Sequence, residues 1–202
     1  MNYFCELIFP NMLNIVLFGP PGAGKGTQSE ILIENHGLLH ISTGDLFRKH
    51  LGEGTELGKL AQGYMDKGNL VPDEVVIQMV EDKVQDHLQA KGFIFDGFPR
   101  TVNQAGALDK MLASHNLSIS GMIALEVPEG ELRKRLLERG KTSGRVDDQD
   151  EEKISNRIQV YNNETAPVVD FYKNQNKFFG IHGVGSIQEI AGKIDSAIQS
   201  FS

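Results

Sequence analysis

One nine-residue stretch constrains the fold of this chain more than any other: Gly19-Pro-Pro-Gly-Ala-Gly-Lys-Gly-Thr27, placed directly after the apolar run Leu13 to Phe18. A short run rich in branched residues that stops at a glycine turn suits a central strand of a parallel sheet, buried on both faces. The spacing of glycine, four residues and Gly-Lys is that of a Walker A loop. Its glycines let successive amide hydrogens turn inward, and the helix that follows presents its positive N-terminal end, so the two together form a cradle for phosphates. Gly22, Ala23, Gly24, Lys25, Gly26 and Thr27 are the candidate phosphate-binding residues, with Lys25 supplying a full positive charge. Gly26 stands where such loops usually carry Ser or Thr. The hydroxyl that normally holds magnesium is therefore displaced to Thr27 or replaced by contacts through water.

Further strands are expected at Leu38 to Ile41, Phe93 to Phe95, Met122 to Val127 and Phe178 to Ile181, each separated by helical stretches. That alternation predicts an α/β fold: a doubly wound, five-stranded parallel sheet with helices on both faces. Val75, Val76, Met79, Val80, Val84 and Leu88 share one helical face behind Pro72 and Asp73, and Ile187, Ile190, Ile194 and Ile198 repeat at helical spacing behind Ser186. Both stripes read as core packing. Between Thr43 and Val71 no strong strand occurs, and Gly52, Gly54, Gly58, Gly63 and Gly68 interrupt short helical pieces, which suggests a small mobile insertion.

Length and composition fit one soluble domain, since 202 residues with 40% hydrophobic and 23% charged side chains bury a core without staples. A net charge of -7 disfavours a nucleic-acid partner, which would need a broad cationic surface. Cys5 is the only cysteine, which excludes an intrachain disulfide and a thiolate zinc site and fits a reducing compartment. Residues 1–11 lack a basic leader and a small-residue cleavage site. They read as an N-terminal extension or a misassigned start, and no apolar run is long enough for a membrane span. A cytoplasmic monomer is expected.

Four ordered motifs carry a resemblance. The phosphate loop, Ile41-Ser-Thr-Gly-Asp45, Asp96-Gly-Phe-Pro-Arg-Thr101 and Gly144-Arg-Val-Asp-Asp148 together make residues 12–202 similar to the adenylate kinases, in the short-lid form. The resemblance implies Mg²⁺-dependent transfer of the γ-phosphoryl group of ATP to AMP, giving two ADP, with no zinc in the lid. It divides the single domain into a core of 12–41, 72–138 and 149–202, a nucleotide-binding insertion at 42–71 and a short lid loop at 139–148. Thr43, Arg48, Asn69, Leu70, Val71, Gly97, Phe98, Pro99, Arg100 and Gln104 would line the AMP site. Thr43 would select adenine, because the pyrimidine-specific relatives tend to have a small nonpolar residue there. Gly185 would meet the adenine of ATP through its backbone.

Asp96 ends its strand at the place where a carboxylate can organise the waters around magnesium, and Arg100 follows at the same end of the sheet, where it should touch the transferred or acceptor phosphate. Arg135 and Arg139 are four apart, the first on an expected helix from Gly130 to Glu138, so they lie on one face. Arg145 precedes and Arg157 follows the acidic pair Asp147 and Asp148, which is expected to help close the lid. The lid arginines would serve ATP (Arg135, Arg139) and AMP (Arg145, Arg157). Phosphoryl transfer asks for positioning and charge neutralisation more than covalent chemistry, and these arginines with Lys25 are the groups that would supply both. Arg133, outside the pattern, reads as a surface charge.

Overall fold

The computed structural model of the protein describes residues 12–201, so Cys5 and the reading of residues 1–11 lie outside the described residues. In chain order the elements are β1 (Leu13–Phe18), α1 (Lys25–His36), β2 (Leu39–Ser42), α2 (Thr43–Gly52), α3 (Glu56–Met65), α4 (Asp73–Gln85), β3 (Gly92–Asp96) and α5 (Val102–Ser114). They continue with β4 (Gly121–Glu126), α6 (Glu129–Thr142), a 3-10 turn at Val146–Asp148, α7 (Glu151–Val160), a π-helical turn at Tyr161–Thr165, α8 (Val168–Lys173), β5 (Phe178–His182) and α9 (Ile187–Gln199).

The strands form one sheet in the order β2-β3-β1-β4-β5, every neighbouring pair parallel. Successive side chains of a strand face opposite sides, so a strand covered on both sides must be apolar at every position. On β1, Ile15 and Leu17 join Ile94, Ile123 and Leu125 against Leu32 of α1 and Ile190, Ile194 and Ile198 of α9. Val16 and Phe18 face the other way, joining Phe93, Phe95, Met122 and Ala124 against Val76, Val80 and Val84 of α4, Leu108 and Leu112 of α5 and Tyr172 of α8. Winding out from β1 in both directions brings the carboxyl ends of β1, β3 and β4 to one crevice, where open α/β sheets hold ligands.

One polar side chain sits at the opposite edge of this core. Asn14 is fully buried; its Nδ2 donates to the Ser118 carbonyl at 2.9 Å and its Oδ1 accepts the Phe93 amide at 3.2 Å. The bonds join the entry to β4 with the start of β3, and a buried amide is tolerated because its partners are present.

Some boundaries differ from the sequence reading. The stripe behind Asp73 ends as a helix at Gln85, and Leu88 packs on the core from the turn that follows. Ile187 opens α9 but is 47% exposed, so the buried stripe is Ile190, Ile194 and Ile198 alone. The helix expected over Gly130 to Glu138 runs from Glu129 to Thr142, which places Arg139 on a helix and leaves only Ser143–Arg145 irregular before the 3-10 turn. Gly140 did not stop it: its bare Cα lets the Asp148 backbone pack close, where a Cβ would stand 2.4 Å from the Asp148 carbonyl oxygen.

The segment expected to form an insertion holds a pair of ten-residue helices, α2 and α3, each capped by a hydroxyl: Ser42 Oγ accepts the Asp45 amide and Thr55 Oγ1 accepts the Gly58 amide. Gly58 lies inside α3 because α2 crosses it at close range, and a Cβ there would be 2.4 Å from His50 carbonyl atoms and from Leu51 N. Gly63, on the same helix, has open space. Gly58→Ala is expected to force α2 and α3 apart and cost about 1–3 kcal/mol. Gly63→Ala should gain about 0.5–1 kcal/mol of helix propensity. Thermal unfolding of the two variants beside wild type, with Tm moving in opposite directions, checks both.

Candidate active site

A cleft of about 540 Å³ opens at the carboxyl ends of the central strands. The phosphate loop forms its floor. Gly24 takes a left-handed φ of 96° and serves as N-cap of α1 without a side chain to bond the free amides. Ser42, Thr55, Thr101, Asp150 and Ser186 do bond them at other helices. Pro72, Pro128 and Pro167 likewise give α4, α6 and α8 no side-chain cap, so it is the glycine loop before α1, lining the cleft, that makes its first amides the candidate anion site. Lys25 arches over the loop and donates from Nζ to the carbonyls of Gly19 at 2.8 Å and Pro20 at 3.2 Å. Desolvation pushes its ammonium down to about 8; Asp96 opposes this, while Arg100, Arg157 and Arg139 add to it. A polyanion in the cleft would favour the charged form and push the value back up.

Asp96 closes β3 beside this loop, in register with Ser42 of β2. Burial acts to raise its carboxyl, but His40, then Lys25 and Arg100, hold it below the usual carboxylate range. His40 Nε2 stands 3.5 Å from Asp96 Oδ2. Sequence reasoning did not select His40. The available signal was its place two residues before Ser42 on the strand next to β3, so that the two side chains share a face of the sheet.

Gly97 and Arg100 form the second wall. The Gly97 carbonyl accepts two bonds, from Thr43 Oγ1 at 2.8 Å and Arg100 Nε at 2.7 Å. Gly97 takes a left-handed φ of 71°, which favours glycine, and a Cβ there would lie 2.8 Å from Arg100 Nη2 and 3.0 Å from Thr43 Oγ1, so it would push the guanidinium aside. Gln104 is buried and spans two neighbours: Oε1 accepts the Arg100 amide at 2.7 Å and Nε2 donates to Asp73 Oδ1 at 2.7 Å. Asp73 Oδ2 also accepts from Thr101 Oγ1 and Asn103 Nδ2, both at 2.9 Å. Asp73, read from sequence only as a helix start, thus fastens the arginine segment to α4.

The remaining arginines arrive from α6, the short connection after it and α7. Asp148, wholly buried, accepts from Arg139 Nε at 2.6 Å and Nη2 at 3.0 Å, and from Arg157 Nη1. Burial acts to raise its carboxyl, yet the bonds and charges of Arg139 and Arg157 hold it well below the ordinary range. Arg157 also pairs with Asp147 Oδ2 at 2.8 Å. The acidic pair expected to close the lid is thus the anchor that aims two guanidinium groups. Arg145 lies 3.9 Å from Asp45 of the insertion, which also pairs with Arg48. Desolvation, then Arg48 and Arg139, depress Arg145 as they crowd it. Arg135 donates from Nε to Glu131 at 2.8 Å and from both terminal nitrogens to the Gly183 carbonyl at 3.2 Å. Arg133 pairs with Glu129 and Ser155 away from the cleft lining.

Of the site residues read from the sequence, every one but Gly185 lines this cleft, including Thr27, Arg48, Asn69, Leu70, Val71, Phe98 and Pro99. Gly185 lies two residues past the carbonyl that Arg135 holds, outside the lining. Among the described residues no group of three His, Cys, Asp or Glu side chains is placed to hold a metal, and no helix is long and apolar enough to cross a membrane.

The adenylate kinase family model matches residues 17–177. A protein named adenylate kinase from Flavobacterium psychrophilum is 58% identical over 189 residues, covering 94% of this chain and 100% of the relative. The chain belongs to the adenylate kinase family. Adenylate kinases from Flavobacterium johnsoniae and Phocaeicola vulgatus are 56% and 52% identical, covering 94% and 93% of this chain and 100% and 99% of those relatives. The five-stranded parallel sheet with helices around it is consistent with the α/β fold of this phosphotransferase family.

Asp148→Asn is expected to leave two guanidinium groups facing a neutral amide and to destabilise the protein on the order of 3 kcal/mol. The sign with pH follows from a folded-state value below the unfolded one. The Asp148 contribution is complete above the unfolded value near 3.8 and is lost as pH falls through the depressed folded value. Urea unfolding of wild type and variant from pH 6 to about 2 should show the gap between them closing at the acid end.

Proposed function

We propose that this chain catalyses the reversible transfer of the γ-phosphoryl group of ATP to AMP, yielding two ADP, and so maintains adenine nucleotide balance. The observation that carries the reading is the convergence of Lys25, Arg100, Arg139 and Arg157 on one cleft that has the uncapped phosphate loop at one end and the α2–α3 insertion at the other. Membership of the adenylate kinase family supports the same substrates.

ATP places its β- and γ-phosphates on the amides from Gly22 to Thr27 and on Lys25, with Arg135 and Arg139 along the chain. AMP lies under the insertion, its phosphate met by Arg100, Arg48, Arg145 and Arg157, its base beside Thr43, Leu70, Val71 and Gln104. The AMP phosphate is already an anionic nucleophile, so no general base is assigned; inline approach and charge stabilisation suffice. Closure of the insertion and of the short connection after α6 would expel water that could otherwise take the phosphoryl group.

Mg²⁺ fits the donor set, because the ionised Asp96 carboxylate and the exposed Thr27 hydroxyl at the loop are hard oxygen groups suited to hold it through water. Bound with ATP, the ion would neutralise phosphate charge and orient the transferred group. Both nucleotide subsites are built from one chain, which supports a monomer. The acidic net charge argues against a nucleic-acid partner, and we assign the enzyme to the cytoplasm.

A coupled assay of ADP formation from ATP and Mg²⁺ with AMP, CMP, UMP, GMP or no acceptor tests the reading, and turnover is expected with AMP. Turnover with CMP or UMP in its place would overturn the base assignment. Lys25→Met is expected to abolish transfer. Its ligand-free Tm at pH 7 should not fall, because the cost of the desolvated charge is fully present below about 8 and relieved only as pH rises toward the ordinary lysine value. Thr43→Ala should lower the ratio of kcat/KM for AMP to that for CMP or UMP; an unchanged ratio would place base selection elsewhere.

A further inference from the structure

We propose that Asn156 of α7 is a positioning residue for the acceptor-nucleotide pocket, holding in place the turn by which the insertion rejoins the core. The proposal rests on the assignment of AMP to the insertion side of the cleft. After α3 the chain makes a tight turn in which the amides of Lys67, Gly68 and Asn69 donate to the carbonyls of Tyr64, Met65 and Tyr64 at 3.1, 2.9 and 3.0 Å. The turn is then fastened to α7. Asn156 Nδ2 donates to the Lys67 carbonyl at 2.6 Å and to Asn69 Oδ1 at 3.1 Å, using both of its hydrogens across 89 and 87 residues of sequence.

A steric observation, separate from these bonds, gives the same placement. Gly68, at a left-handed φ of 73°, is buried against α7, where a Cβ would be 2.8 Å from Arg157 Cγ, 3.3 Å from Asn156 Nδ2 and 3.3 Å from the Lys153 carbonyl oxygen. The turn therefore has a fitted seat on α7, and the Asn156 amide fixes its position along that seat. Asn69, Leu70 and Val71, which follow directly, line the cleft. The residue after Asn156 is Arg157, whose guanidinium is held by Asp147 and Asp148. One side chain thus sets the distance between the acceptor wall and a phosphate-binding guanidinium without itself lining the cleft.

The test uses Asn156→Ala, Asn156→Asp, which keeps the size but loses both donors, and Asn156→Gln, which restores an amide. Steady-state kinetics with each nucleotide varied are combined with amide hydrogen exchange across residues 64–71. Loss of the tether by Ala or Asp removes two hydrogen bonds and should raise KM for AMP at least about fivefold, the worth of one of them. KM for ATP and kcat should stay within about twofold and exchange at 67–69 should quicken, because the tether touches only the acceptor wall. Asn156→Gln should recover much of the AMP affinity. An unchanged KM for AMP, or equal rises for both nucleotides, would overturn the role of Asn156 while leaving AMP as acceptor. A wild-type enzyme without AMP-dependent turnover would overturn the acceptor assignment and the proposal together.

Discussion

Mutual repulsion among cations is the constraint around which this structure is organised. Lys25, Arg100, Arg139, Arg145 and Arg157 occupy one cleft, and burial together with their neighbours works against the charge on Lys25, Arg100 and Arg145. Left to themselves such groups would turn outward to water. Each is instead held by an acceptor: loop carbonyls for Lys25, the Gly97 carbonyl for Arg100, Asp148 for Arg139, Asp147 and Asp148 for Arg157, and Asp45 near Arg145. The parallel sheet supplies the rigid frame for these restraints, because its strand ends bring loops distant in sequence to a single edge. A polyphosphate entering the cleft finds its counter-charges already oriented, so little reorganisation is left for the reaction itself.

The sequence made legible whatever depends on local pattern. The span of β1 was read residue for residue, since an apolar run that stops at Gly19 has no other reading in that context. The alternation of strands and helices led to the observed doubly wound parallel sheet, whereas its strand order, made by pairings between distant segments, was not read from the sequence. Features made by contacts across the chain were not legible. Asp147 and Asp148 are adjacent acidic residues that look alike on paper. Only the fold shows that Asp148 is buried between an arginine nine residues before it and another nine after it, one on α6 and the other on α7. Gly140 and Gly58 resemble helix breakers, yet both lie within helices because another backbone segment passes against them. His40, Asp73 and Asn156 carry no motif of their own; each acts by facing a partner supplied by another element.

The arginines around Asp148 also hold the short connection after α6 in place. A buried carboxylate shared by two guanidinium groups already ties α6 to α7. The same tie fixes the direction of both cations toward the cleft. Economy of this kind has a cost, since one side chain serves both the stability of the connection and the geometry of the site. Changes at this position therefore cannot be read as purely structural or purely functional.

The bare N-terminus of α1 carries a consequence for the protein as a whole. Gly24 offers no side chain to the first amides of the helix, so this end of the fold is completed by whatever anion occupies the loop. A ligand that binds only the folded chain stabilises it by RT ln(1 + [L]/Kd), about 2.7 kcal/mol at a hundredfold excess over Kd. A nucleotide held in the proposed site would then stabilise the fold as well as react.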